Sequence, residues 1–153
     1  MFRAAFYTAT RPGLPGLYNR LVRWLDRGPY SHCELIFSDG MAASSSFMDD
    51  GVRFKRIEFD ATHWDFMALP GSKERYARAW FAAHQGKAYD LMGNLRFLLG
   101  FAPDSRDKWF CSEALAASLG LADAWRYGPN GLAEILKSYN IPPAWAEGNN
   151  DHA

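Results

Sequence analysis

The sequence predicts an α+β fold in which an antiparallel sheet packs against helices. In the first half of the chain, short alternating segments are separated by turns such as Ser38-Asp39-Gly40, which favours hairpins over parallel crossovers. From Ser72 onward the apolar residues follow helical spacing instead. A strand, a helix, a run of strands and then helices is the order typical of an α+β domain.

The composition supports one compact domain. The chain has 153 residues, of which 48% are hydrophobic and 16% aromatic, so it is long and apolar enough to bury a single core. We expect this domain to span residues 1–146. The polar segment 147–153 is expected to form a flexible tail.

The charge balance excludes some partners. Seventeen Lys and Arg residues offset seventeen Asp and Glu residues, so the chain lacks the basic excess of a nucleic-acid binder or of polybasic membrane docking. The apolar stretch at the start is too short for a secretory signal, and no later run approaches transmembrane length. We therefore expect a cytoplasmic protein with no integral membrane association.

The first half of the chain contains five predicted strands and one helix. The helix covers 17–27, where Leu17, Leu21 and Trp24 recur at helical spacing opposite arginines, as in an amphipathic helix that packs on a core. The predicted strands are 2–10, 30–37, 41–47, 52–57 and 64–69.

The second half is predicted to be helical. One helix covers 72–84 and is followed by a break at Gly86. The remaining predicted segments are an apolar stretch at 91–101, a loop at 103–107, a helix at 110–119 and a last helix at 131–138.

Cys111 is the leading candidate for chemistry because it opens a predicted helix. Free backbone N–H groups at a helix start lower the pKa of a thiol and favour the reactive thiolate. The same groups can stabilise an oxyanion. The alternative is that Cys111 is a small buried hydrophobic residue.

His32 is the natural proton acceptor for that thiol. It lies on a predicted strand, and a Cys–His pair is what nucleophilic catalysis requires. Strand alternation places His32 and Glu34 on one face and Cys33 on the other, among apolar residues. Cys33 is therefore expected to belong to the core.

A third group usually orients the imidazole. Glu34 shares the face of His32 but lies only two residues along the same strand. Ser45 lies on the predicted neighbouring strand, where cross-strand geometry is better, so we favour Ser45 and keep Glu34 as the alternative. His63, His84 and His152 are expected at the surface. No spacing of ligand residues predicts a metal site.

The order of these segments is similar to a known family. The segment Pro29-Tyr30-Ser31-His32-Cys33-Glu34 resembles the histidine segment of the permuted NlpC/P60 enzymes, the YiiX/YaeF-like group of papain-fold amidases. Asp50-Gly51-Val52-Arg53 resembles the hairpin that follows, and Gly86-Lys87-Ala88-Tyr89-Asp90 the tyrosine motif. Trp109-Phe110-Cys111-Ser112-Glu113 resembles the cysteine motif, and Pro129-Asn130-Gly131-Leu132 leads to the last helix.

This resemblance implies a circularly permuted papain-like fold with Cys111 as nucleophile, His32 as base and Tyr89 near the oxyanion. It implies a cysteine hydrolase that cleaves an amide bond in a small peptide-like substrate, without a cofactor. A lipid acyl hydrolase or acyltransferase that takes an acyl substrate is one alternative. A catalytically degenerate domain that binds a peptide or a protein partner is the other.

Overall fold

A five-stranded antiparallel sheet forms the centre of the computed structural model, which describes residues 1–89 and 108–139. Its strands are β1 (Arg3–Tyr7), β2 (His32–Ile36), β3 (Ala42–Ser46), β4 (Gly51–Lys55) and β5 (Trp64–Ala68). They lie in the order β4-β3-β2-β1-β5, and every neighbouring pair is antiparallel. The predicted α+β class and the predicted run of strands are confirmed.

The helices follow the predicted order. Within the described residues they are α1 (Gly13–Leu25), α2 (Glu74–His84), α3 (Cys111–Ser118) and α4 (Pro129–Ser138). A short parallel pair, β6 (Ala88–Tyr89) and β7 (Lys108–Trp109), lies beside the main sheet. None of these helices is long and apolar enough to cross a membrane. The predictions for 91–101, 103–107 and 147–153 fall outside the described residues.

The main core lies between one face of the sheet and the helices α2, α3 and α4. Strand alternation sends Phe6, Cys33 and Leu35 into this core, where they join Phe81 of α2 and Leu115 of α3. All five are fully buried. The core fixes α3 against the sheet, and α3 begins at the candidate nucleophile.

Helix α1 is the main departure from the predicted packing. Its buried residues are Gly16, Asn19 and Val22, whereas Leu17 and Trp24 are exposed. The inner side is held by close backbone contact and polar bonds: a Cβ on Gly16 would lie 1.7 Å from the Arg11 carbonyl oxygen. The apolar stripe predicted to pack on the core therefore faces outward.

Asn130, at the start of α4, ties this helix to the chain between α1 and β2. Its backbone N–H and its Nδ2 donate to Asp26 Oδ2 at 2.8 and 2.7 Å. Its Oδ1 accepts from the Tyr30 N–H at 2.9 Å, and its Nδ2 also donates to the Tyr30 carbonyl at 3.0 Å. One side chain thus satisfies the backbone two residues before His32.

Replacing Asn130 with alanine is expected to lower the free energy of unfolding by about 2–3 kcal/mol, because both backbone groups of Tyr30 lose their partner and Asp26 keeps only the bond from the backbone N–H at position 130. Urea denaturation measures the change. Ser138→Ala, which removes an exposed hydroxyl from the same helix, is the control and should change the stability by less than about 0.5 kcal/mol. Equal stability of the two variants would contradict the role of Asn130.

Candidate active site

Cys111 and His32 stand at the beginnings of two packed elements. Cys111 is the first residue of α3, and His32 is the first residue of β2. Small residues such as Ala114 allow α3 to pack closely on the sheet, and the thiol and the imidazole are near enough for each to shift the pKa of the other. The candidate nucleophile and base predicted from the sequence therefore lie together.

The two groups shift each other's ionisation. A hydrogen bond from Cys33 makes the largest contribution that lowers the pKa of Cys111, and the charge and hydrogen bond of His32 lower it further against the effect of burial. Burial by itself would lower the pKa of His32, but Cys111 and Glu34 raise it from 6.5 to about 9. Both shifts favour the ion pair of thiolate and imidazolium over the neutral pair.

Cys33 is a core residue with a second role. As the alternation predicts, it is fully buried among apolar side chains. Burial raises its pKa, so it keeps its proton, and its thiol lowers the pKa of Cys111. Strand alternation places Cys33 and His32 on opposite faces of β2, so it does not indicate that both side chains act on the Cys111 thiol.

Glu34, and not Ser45, contacts the imidazole. His32 Nε2 lies 2.8 Å from Glu34 Oε1, which leaves Nδ1 for the thiol. Residues i and i+2 of a strand are about 7 Å apart on the same face, and the glutamate side chain is long enough to cover that distance. The Ser45 hydroxyl instead donates to the Trp109 carbonyl at 2.6 Å. The preference for Ser45 as the orienting group is therefore corrected to Glu34.

Arg53 holds the buried carboxylate of Glu34. Its Nη1 and Nη2 donate to the two Glu34 oxygens at 2.7 and 2.6 Å, and its Nε donates to Asp49 Oδ2 at 2.9 Å. Burial would raise the pKa of Glu34, but the bonds from Arg53 and His32 lower it, so Glu34 stays charged. No pattern in the sequence indicates a role for Arg53. A glutamate in an apolar strand was the available signal that a cation lies nearby.

The serines of β3 position the site. Ser44 pairs with Arg53 in the sheet register, and its small side chain leaves room for the arginine to pass over β3 to Glu34. Ser44 Oγ also donates to the Cys33 carbonyl at 2.7 Å. The bond from Ser45 holds the Trp109 carbonyl, two residues before Cys111. These hydroxyls thus connect the histidine strand, the cysteine helix and the sheet.

A cavity of about 440 Å³ opens beside His32. It is lined by Arg11, Leu14, Pro15, Tyr18, Asn19, Ser31, His32, Ser46, Phe47, Met48 and Tyr89. Tyr89, the tyrosine expected near the oxyanion, lines the same cavity as the His32 imidazole. Its hydroxyl lies 2.9 Å from the hydroxyl of Tyr18. Cys111 is 2% exposed and does not belong to this lining. Tyr18 carried no recognisable signal in the sequence.

The other histidines lie apart from this site. The side chain of His63 is exposed beside Asp60, and His84 stacks on Trp80 with ring centroids 4.0 Å apart. His152 lies outside the described residues. Within residues 1–89 and 108–139 no group of three or more His, Cys, Asp or Glu side chains could hold a metal ion.

Comparison with known proteins adds no family assignment: a scan against protein-family models matches none, and a search of curated proteins finds no match.

Proposed function

We propose that this protein is a cysteine hydrolase of the permuted papain-like type that cleaves amide bonds. The observation that carries the proposal is the buried thiol–imidazole pair, with the carboxylate of Glu34 on the second ring nitrogen of His32. A nucleophile, a base and an orienting group in contact are what acyl transfer through a covalent intermediate requires. The shared order of motifs noted in the sequence agrees with this arrangement.

The reaction proceeds through an acyl-enzyme. The Cys111 thiolate attacks the carbonyl carbon, and the carbonyl electron pair moves to oxygen, which the N–H groups at the start of α3 and the Tyr89 hydroxyl stabilise. The tetrahedral intermediate collapses, the C–N bond breaks, and the His32 imidazolium gives its proton to the leaving amine. A water molecule, deprotonated by His32, then attacks the thioester and releases the acid and the thiolate.

A second candidate substrate class is an acyl ester or thioester, as in lipid acyl hydrolases. The observation that favours it is the cavity lining, in which Leu14, Pro15, Phe47 and Met48 present mainly apolar surface. The degenerate, purely binding alternative has less support, since it would be expected to separate the thiol from the imidazole. Incubation with dipeptide amides and with acyl thioesters distinguishes the first two classes by which substrate turns over.

Thiol labelling tests the reactive pair without a known substrate. Mass spectrometry after iodoacetamide treatment at neutral pH should find Cys111 labelled faster than Cys33, because the pKa of Cys111 is lowered and the pKa of Cys33 is raised. His32→Ala should slow the labelling of Cys111 by about tenfold, since the thiol pKa then rises.

His63→Ala, at an exposed histidine, is the matched control and should leave the labelling rate of Cys111 unchanged. Equal and slow labelling of both cysteines in the wild-type protein would refute the proposal.

A further inference from the structure

Helix α1 presents its apolar residues to solvent. Leu14, Leu17, Leu21 and Trp24 recur at spacings of three and four residues and are 82%, 65%, 37% and 75% exposed. We call these four residues the α1 ridge. Four large apolar side chains along one exposed helix face mark an interaction site, because single exposed apolar residues are ordinary whereas a continuous stripe is not.

The ridge does not hold the helix in place. The inner side does so through Val22, the hydrogen bond from Asn19 Nδ2 to Ser31 Oγ at 3.0 Å, and the bond from Arg23 to the Thr8 carbonyl at 2.5 Å. The ridge is therefore available to bind a partner without rearrangement of the fold.

The charges beside the ridge are positive. Arg20, four residues before Trp24 on the helix surface, and Arg27, just after the helix, are both exposed. The segment Gly13–Leu25 contains no Asp or Glu, and Asp26 is bound by Asn130. The neutral total charge of the chain thus conceals a local surplus of cations at this helix.

We propose that the α1 ridge docks onto an anionic phospholipid surface. Leucine and tryptophan on one side of a helix, bordered by arginines, are the features of a helix that lies in the plane of a membrane interface. The apolar side chains enter the headgroup region, and the arginines pair with lipid phosphates. A symmetric contact between two copies of this chain would instead bring the arginines of both copies together, which disfavours self-association.

Docking in this orientation would bring the candidate cavity to the lipid. Leu14 belongs to both the ridge and the cavity lining, and Phe47 and Met48, on the same lining, are each 59% exposed. An acyl substrate could then reach the cavity from the bilayer. The docking itself does not depend on the proposed hydrolase activity, since it uses neither Cys111 nor His32.

Vesicle sedimentation of the full chain tests the proposal. The wild-type protein should sediment with vesicles of phosphatidylcholine and phosphatidylglycerol in equal parts, bind pure phosphatidylcholine vesicles less, and lose affinity as salt is added. Two double variants, Leu17→Glu with Trp24→Glu and Arg20→Glu with Arg27→Glu, should each weaken binding by about tenfold or more.

Tyr76→Glu is the matched control, because Tyr76 is 57% exposed on α2 and lies outside the ridge. This variant should bind like the wild type, and circular dichroism should find all variants folded, since every substituted side chain is exposed. The proposal would be overturned if the wild-type protein sediments no more with anionic vesicles than it does without vesicles. So would a wild-type dimer that Trp24→Glu converts to a monomer without any change in vesicle binding.

Discussion

Replacing Cys111 with alanine is expected to abolish acyl-enzyme formation and to lower the pKa of His32. The substitution removes the proposed nucleophile, and loss of a nucleophile reduces turnover by about a thousandfold or more. It also removes the charge and hydrogen bond that most strongly raise the pKa of His32, so the imidazole should titrate well below its wild-type value of about 9. Intact-protein mass spectrometry detects the acyl adduct, and an NMR titration follows His32.

Cys33→Ala is the matched control because it removes the same atom from the neighbouring thiol. This variant should still form the acyl-enzyme. The pKa of Cys111 should rise, since the hydrogen bond that contributes most to its lowering is lost. An acyl adduct on the Cys111→Ala protein, or a His32 titration unchanged by Cys111→Ala, would contradict the proposed site.

Replacing Glu34 with glutamine is expected to destabilise the protein and to lower the alkaline limit of the Cys111–His32 pair, which is the pH above which His32 loses its proton. Arg53 would keep at most one bond, to the remaining side-chain oxygen, and would lose its buried countercharge, which costs about 3 kcal/mol of unfolding free energy. His32 would lose the carboxylate on Nε2, and its pKa should fall. Glu34 acts on the reaction through His32 and is a positioning residue.

The pKa shifts of His32 and Glu34 determine how the stability of the fold changes with pH. The pKa of His32 is raised in the folded state, so its contribution to stability is complete below its ordinary value of 6.5 and is lost as the pH rises through about 9. The pKa of Glu34 is lowered, so its contribution is present above its ordinary value of 4.5 and is lost as the pH falls through the folded-state value. In Glu34→Gln the loss of stability at alkaline pH should begin at lower pH, and the loss of stability at acid pH that protonation of Glu34 causes should disappear.

Urea unfolding and the rate of Cys111 alkylation, each measured across pH, test both effects. Asp49→Asn is the control, because Asp49 also contacts Arg53 but does not touch His32. It should cost less stability and leave the alkaline limit unchanged. If both variants shift that limit equally, Glu34 does not position the imidazole.

Local patterns predicted the elements that carry the site. Alternation in 30–37 predicted β2 and placed His32 and Glu34 on one face, because side chains of a strand alternate with period two. The run of small and apolar residues after Cys111 predicted α3, since those residues favour helix formation. Each of these features depends on residues within a few positions of one another.

The contacts between elements were not predictable in the same way. Periodicity identified the apolar stripe of α1 but not which side of the helix faces the core, and Asn19 and Gly16 decide that orientation through contacts with Ser31 and Arg11. Arg53 reaches Glu34 across an intervening strand, so no spacing along the chain encodes the pair. Glu34 reaches His32 along the same strand because side-chain length matters as much as strand spacing.

The sequence by itself determined the α+β class, the order of strands and helices, and the position of Cys111 at a helix start and of His32 on a strand, because these follow from local propensity and periodicity. Only the tertiary structure decided that Cys33 acts on the predicted Cys111–His32 pair, that Glu34 and not Ser45 contacts the imidazole, and that α1 turns its apolar side outward. These outcomes depend on packing and ion pairing between segments far apart in the chain, where burial raises the energetic cost of every unpaired charge.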